Sequence, residues 1–188
     1  MNPFATGRVE RLLTFDPELI GSSWEAIEAR WSELGHRACV TGHHGAGKTT
    51  FLETFAKRLA RRGRVECLFF NDRKPCLSSE DRATLEQCEG GILMIDGDEY
   101  LSWRERRELE RASRQANGSL FVRHRKRGLP ELLRLESDPL LAMALLERIS
   151  PEWGAKLEGG LERRLGNLDG NLRELWLECF DLAGEAAL

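Results

Sequence analysis

Apolar residues along this chain recur with two different spacings, and the changes from one to the other mark out its elements. The opening, Met1 to Gly35, carries scattered apolar positions (Phe4, Val9, Leu12, Leu13, Phe15) and then a helical stretch. There Trp24, Ile27 and Trp31 fall three and four residues apart, so one face of that helix is buried. The short run Ala38-Cys39-Val40, ending at Thr41-Gly42, reads as a buried strand. Phe51, Leu52, Phe55, Ala56 and Leu59 then line one face of a helix that ends near Gly63. Val65 to Phe70 predicts a second strand, and Ser78 with Asp81 has the spacing of a capping box that opens a short helix through Leu85. Gly91 to Asp96 is the clearest buried strand of the chain. A charge-rich helix is expected from Ser102 to Ala116, with Asn117-Gly118 as its stop. Ser119 to Arg123 predicts a fourth strand and Leu132 to Leu135 a fifth.

Strands alternating with helices imply a parallel sheet covered on both faces, because parallel strands need crossover connections. From Asp138 onward the pattern turns purely helical. Asp138-Pro139 is an N-cap followed by a proline at the first helical position, launching Leu140 to Ile149. Ser150-Pro151 breaks that helix; Leu157, Leu161 and Leu165 form a second stripe, and Leu172, Leu175, Trp176, Cys179 and Phe180 a third. The expected organisation is an α/β core over 1–136, with an N-terminal helical segment over 1–35, and a three-helix subdomain over 137–188.

Composition narrows the setting. A formal net charge of -3 provides no global attraction to nucleic acid or acidic membranes, so polyanion binding would need a local patch. The apolar run Leu140 to Leu146 is far short of a membrane span, and Met1 to Arg8 lacks a secretory-signal pattern. Five cysteines without a C-x-x-C pair read as reduced thiols, which makes the cytoplasm the default compartment.

The candidate chemistry begins where the first strand ends. Gly42-His43-His44-Gly45-Ala46-Gly47-Lys48-Thr49 fits G-x-x-x-x-G-K-[ST] at every fixed position, with Thr50 following. Glycines let the backbone curl so that successive N–H groups face a phosphate. The helix starting at Lys48 adds the positive end of its dipole, Lys48 offsets β/γ-phosphate charge, and Thr49 offers a hydroxyl to Mg²⁺. His43 and His44 have no partner cluster that would make them metal ligands; they are loop residues or phosphate contacts. A carboxylate near the metal is supplied by Asp96, at the end of Ile92-Leu93-Met94-Ile95. Of the acids that follow, Glu99 is favoured over Asp98 for polarising water, against the alternative that both are solvated turn residues.

These residues resemble the P-loop NTPases, and within them the additional-strand, AAA+-like branch. The resemblance implies a three-layer α/β/α fold with a mostly parallel five-stranded sheet and a small C-terminal helical lid, ATP and Mg²⁺ as cofactors, and ATP hydrolysis. Asn2-Pro3-Phe4 resembles the segment that lies near adenine in ATPases related to the general-secretion-pathway type. Arg123-His124-Arg125 stands where this branch carries its sensor 1, and Gly170-Asn171-Leu172-Arg173-Glu174 is similar to its sensor 2, which implies that Arg173 reaches the γ-phosphate. Two departures stand out: the sensor 1 asparagine or threonine is replaced by a basic residue, and the position after Asp96, where many ATPases carry a glutamate, is Gly97.

From Arg104 to Arg127 there are nine Arg or Lys against three Glu. The plainest reading is a solvated helix with internal pairs such as Glu110–Arg114. Arg125 or Arg127 as an arginine finger in a homo-oligomer and contact with nucleic-acid phosphates stay open, and no aromatic pattern is read beside these arginines to support base recognition. The leading expectation is an ATPase with a responsive lid, acting on itself or on a protein partner. The alternative is a nucleotide-dependent switch with negligible hydrolysis; a small-molecule kinase fits less well because of the helical tail, and a GTPase lacks its Asn-Lys-x-Asp motif.

Overall fold

The computed structural model describes residues 2–185. Its sheet is five-stranded and all-parallel, made of β1 (Arg37–Gly42), β2 (Val65–Phe69), β3 (Ile92–Asp96), β4 (Gly118–Arg123) and β5 (Glu131–Leu135), in the order β2-β3-β4-β1-β5. The helices are α1 (Thr6–Leu12), α2 (Trp24–Glu33), α3 (Lys48–Leu59), α4 (Ser79–Glu86), α5 (Trp103–Gln115), α6 (Pro139–Ile149), α7 (Pro151–Leu157), α8 (Leu161–Asn167) and α9 (Leu172–Glu185). Two compact units result. One comprises Trp24–Gly42 and Phe51–Arg134; the other comprises the residues up to Ser23, His43–Thr50 and the chain from Leu135 onward.

In the first unit, the period-two geometry of strands sorts side chains between two helical layers. Cys39, Leu93, Ile95 and Phe121 cluster with Leu85 of α4 and with Leu109 and Ala112 of α5. Gly118, offset from Phe121 by an odd number of residues, presents the opposite face. There the Trp31 ring of α2 lies so close that a Cβ on Gly118 would come within 2.9 Å of it. Trp31 meets Phe55 of α3 edge-on at 5.4 Å, and Trp24 stacks on the same phenylalanine at 5.9 Å. Each fully buried phenylalanine of α3, Phe51 and Phe55, contributes about 1.5–3 kcal/mol by leaving water. The sheet is thus sandwiched between helices, as a continuous apolar strand such as Ala38-Cys39-Val40 requires.

Two capping signals read from the sequence are realised: Ser78 and Asp81 exchange both bonds of a capping box before α4, and the Asp138 carboxylate accepts from the Leu141 amide ahead of Pro139. The structure adds a third, a capping box between Ser102 and Glu105 before α5.

The second unit has its own core, in which Ala142, Leu146 and Ile149 of α6 meet Leu157, Leu161, Leu165, Leu172, Leu175 and Cys179. The tail holds four helices where three stripes were expected. Leu157, Leu161 and Leu165 are all buried, but a 3-10 turn at Glu158–Gly160 divides α7 from α8, because Gly159-Gly160 cannot sustain an α-helix cheaply. The N-terminal segment belongs to this core. Phe4 is 2% exposed and meets Trp153 edge-on at 5.7 Å, and Asn2 donates to the Phe180 carbonyl at 2.7 Å. The contacts the structure gives Asn2 and Phe4 are those of helix packing. Among the described residues no helix is long and apolar enough to cross a membrane.

Candidate nucleotide site

The loop from Gly42 to Lys48 links the end of β1 to the first turn of α3, the strand–loop–helix setting that the octapeptide requires. Gly45 and Gly47 take φ of 73° and 84°, left-handed backbone that L side chains rarely adopt and that turns the chain in on itself. Lys48 is buried to 8% exposure and its Nζ donates to the His43 carbonyl at 2.6 Å, so the ammonium is folded over its own loop.

Within the same unit the loop touches the start of α9. A Cβ on Gly45 would run into the Asn171 side chain, and one on Gly170 would come within 3.0 Å of the His43 ring. His43 Nε2 also accepts from the Ser137 amide at 3.4 Å. His43, read from sequence as a loop residue or phosphate contact, is therefore a bridge from the loop to the helical tail. Asn171 caps α9: its Oδ1 accepts from the Arg173 and Glu174 amides at 3.1 and 3.3 Å. Its own amide bonds the Leu168 carbonyl instead of the Glu174 side chain. Arg173 follows in the exposed first turn, two residues beyond the contact with Gly45.

In the sheet unit, register places the acidic element. Val40 of β1 and Asp96 of β3 both pair with Val122 of the intervening β4, so Asp96 stands level with β1 two residues before Gly42. Two strand spacings separate them, about 10 Å. The backbone beyond Asp96 turns at Gly97, with φ of 81°; a Cβ there would collide with the Phe70 carbonyl. This explains the absence of a glutamate after Asp96: the position has room for no side chain.

The turn after Gly97 is held by a bond that the sequence did not announce. Asp98 is buried, and its two carboxylate oxygens accept from Arg123 Nε and Nη2 at 2.9 and 2.8 Å. Arg123 also donates to the Arg127 carbonyl at 2.9 Å and lies 4.4 Å from the Phe121 ring centroid. The expectation that Asp98 is a solvated turn residue or a reserve base is corrected: it is the buried partner of the strand-end arginine. A buried charge persists only when paired, and a bidentate pair supplies that. Glu99, next along, turns the other way. Its Oε1 is 3.4 Å from His124 Nε2, while Oε2 is buried with no hydrogen-bond partner. An orphaned carboxylate oxygen at the end of a strand suits a polarised water or a hydrated cation. Arg123, His124 and Asp98 are each marked in the sequence, but their pairing is not; its one signal is the basic residue at the end of β4, where a neutral polar one is expected.

Among the described residues no group of three or more His, Cys, Asp or Glu could hold a metal ion alone. Thr49 in one unit and Asp96 in the other carry oxygen donors, the type that Mg²⁺ takes.

No protein-family model matches the chain, and no curated protein matches its sequence. Among solved structures, the replication initiator DnaA bound to AMPPCP and single-stranded DNA aligns with a TM-score of 0.57 at 15% identity, covering 95% of this chain and 67% of that one. Likeness at that identity is likeness of fold. The chain accordingly shares a three-layer α/β/α fold with that neighbour, with the glycine loop after its first strand.

Proposed function

We propose that this chain binds ATP with Mg²⁺ on residues Gly42 to Thr50 and hydrolyses it, with the helical tail responding to the γ-phosphate. The observation that carries this reading is the loop itself. It is a left-handed glycine backbone between a central strand and an amphipathic helix, with a buried lysine at the helix start. The solved neighbour was determined with AMPPCP bound, which is in keeping with it. Backbone amides of Gly42, His43, His44, Gly45, Ala46 and Gly47 receive phosphate oxygens. With nucleotide bound, Lys48 would exchange the His43 carbonyl for phosphate oxygens, and Thr49 and Asp96 would hold Mg²⁺. When bound, Mg²⁺ supplies charge neutralisation on the phosphates. Glu99 orients water through its unpaired oxygen, and Arg173 reads the γ-phosphate.

The contacts of the loop with Asn171 and Gly170 support the tail as the responding part. A phosphate in the loop would lie near the N-terminus of α9, whose positive dipole end favours it. In the second reading the chain is a switch that binds nucleotide and turns it over negligibly. The observation favouring it is Gly97, which removes the usual glutamate and leaves Glu99 engaged with His124.

Nucleotide binding and phosphate release, measured together, decide between them. Lys48→Ala should weaken Mg·ATP binding by about 10- to 100-fold, the worth of a charge-assisted contact. Glu99→Gln should keep binding and abolish release. A wild-type release rate no higher than that of Lys48→Ala selects the switch. Failure of the folded protein to bind Mg·ATP or Mg·GTP at millimolar concentration ends both readings.

A further inference from the structure

Helix α5 carries more arginine than its own ion pairs use. Arg104, Arg107, Arg111 and Arg114 are spaced three, four and three apart, which puts them on one face, and all four are exposed. The stripe runs about 15 Å along the helix axis. The glutamates of α5 are mostly engaged elsewhere. Glu105 caps the helix at Ser102 and accepts from the Leu77 amide; Glu108, four residues after Arg104 and three before Arg111, pairs with Arg82 at 3.3 Å, and Glu110 borders the stripe 3.8 Å from Arg114.

At the head of the stripe stands Trp103, 61% exposed. The Arg104 and Arg107 guanidinium carbons lie 5.5 and 6.0 Å from its ring centroid. The run from Arg104 to Arg127 has its aromatic partner in the residue just before it, which corrects the expectation of none. An indole left in water costs apolar hydration, and one flanked by two guanidiniums is a stacking surface with hydrogen-bond donors for phosphate beside it.

We propose that the exposed face of α5 binds single-stranded nucleic acid, with a base stacked on Trp103 and phosphates following Arg104, Arg107, Arg111 and Arg114. A duplex keeps its bases paired and leaves the indole nothing to stack on. The whole chain is net negative, so the attraction is local to this face. The inference stands apart from the nucleotide reading, since it involves neither the loop nor Asp96.

The test is fluorescence anisotropy of a labelled, mixed-sequence single-stranded DNA of about 20 nucleotides, with the full chain. It is run between about 50 and 200 mM KCl, with and without Mg·ATP. Arg107→Glu combined with Arg111→Glu should weaken binding by about tenfold or more, and should flatten the log–log salt slope by about 0.7 for each phosphate left unneutralised. Trp103→Ala should weaken it by about fivefold or more while Trp103→Phe retains it, because every aromatic face stacks. These side chains are exposed, and circular dichroism verifies that each variant folds. The proposal is overturned by any of three results: no binding at about 100 μM protein, binding indifferent to both sets of substitutions, or a polyglutamate peptide binding as tightly as the oligonucleotide with no response to Trp103→Ala. The last would make the face a dock for an acidic protein.

Discussion

The loop after β1 and the turn after β3 are both short connections leaving the ends of parallel strands, yet they keep their shapes by opposite means. The loop's curl is built locally: its left-handed glycines and the Lys48 bond to a carbonyl five residues back lie within one octapeptide, which the tail touches at His43 and Gly45. The turn depends on Arg123, 25 residues further on, whose guanidinium clamps Asp98 out of water. Shape that comes from backbone freedom is cheap to hold and readily rearranged by a ligand. Shape that comes from a buried ion pair is rigid, and costly to break on one side only.

The sharpest way to break this contrast is to remove one half of the clamp. Asp98→Ala leaves an uncompensated buried guanidinium, and urea unfolding should show a loss of about 3–5 kcal/mol. Lys48→Ala in the loop should cost about 1 kcal/mol or less while weakening nucleotide binding. Equal losses in the two variants would refute the distinction. Next in size is Gly97→Glu, which restores a glutamate directly after Asp96. Its Cβ meets the Phe70 carbonyl and its φ is left-handed, so stability should fall by about 2 kcal/mol or more, with no gain in phosphate release. A faster, stable variant would show that the displaced glutamate has another cause.

Smaller effects belong to locally encoded devices. Asn171→Ala removes the cap of α9 and should cost about 1 kcal/mol by thermal unfolding, while Asn171→Asp keeps it. The least is a pH effect at α4. Burial alone would raise the Asp81 pKa, but hydrogen bonds from Lys74 and Ser78 outweigh it and hold the carboxyl below its usual range. The unfolded chain, with a carboxyl near 3.9, therefore takes up the proton first as pH falls. The stabilisation is present in full above about pH 5 and is lost as pH drops through 4 and below. The urea midpoint should decline over that window, and Asp81→Asn should flatten the decline.

The Ser78–Asp81 capping box, the Asp138 cap, the strand ending in Asp96 and the glycine loop after β1 were legible in the sequence for one reason: each rests on interactions between residues a few positions apart. The sheet's alternation of buried side chains is legible too, because a strand in a two-sided core needs a continuous apolar run. A stripe such as Leu157, Leu161 and Leu165 shows which face is buried, yet it does not show that Gly159-Gly160 divides the helix beneath it.

What the amino-acid order determined here is therefore the backbone that a phosphate would meet, and the faces that leave water. Only the tertiary structure decided that Asp98 belongs to Arg123, that Glu99 keeps one oxygen unpaired, and that His43 and Gly45 of the loop meet Gly170 and Asn171 at the start of α9. The physical reason is range. Caps and left-handed glycines act over one turn of chain, whereas a buried charge takes whatever partner the packed strands bring alongside, and sequence spacing carries no record of that choice.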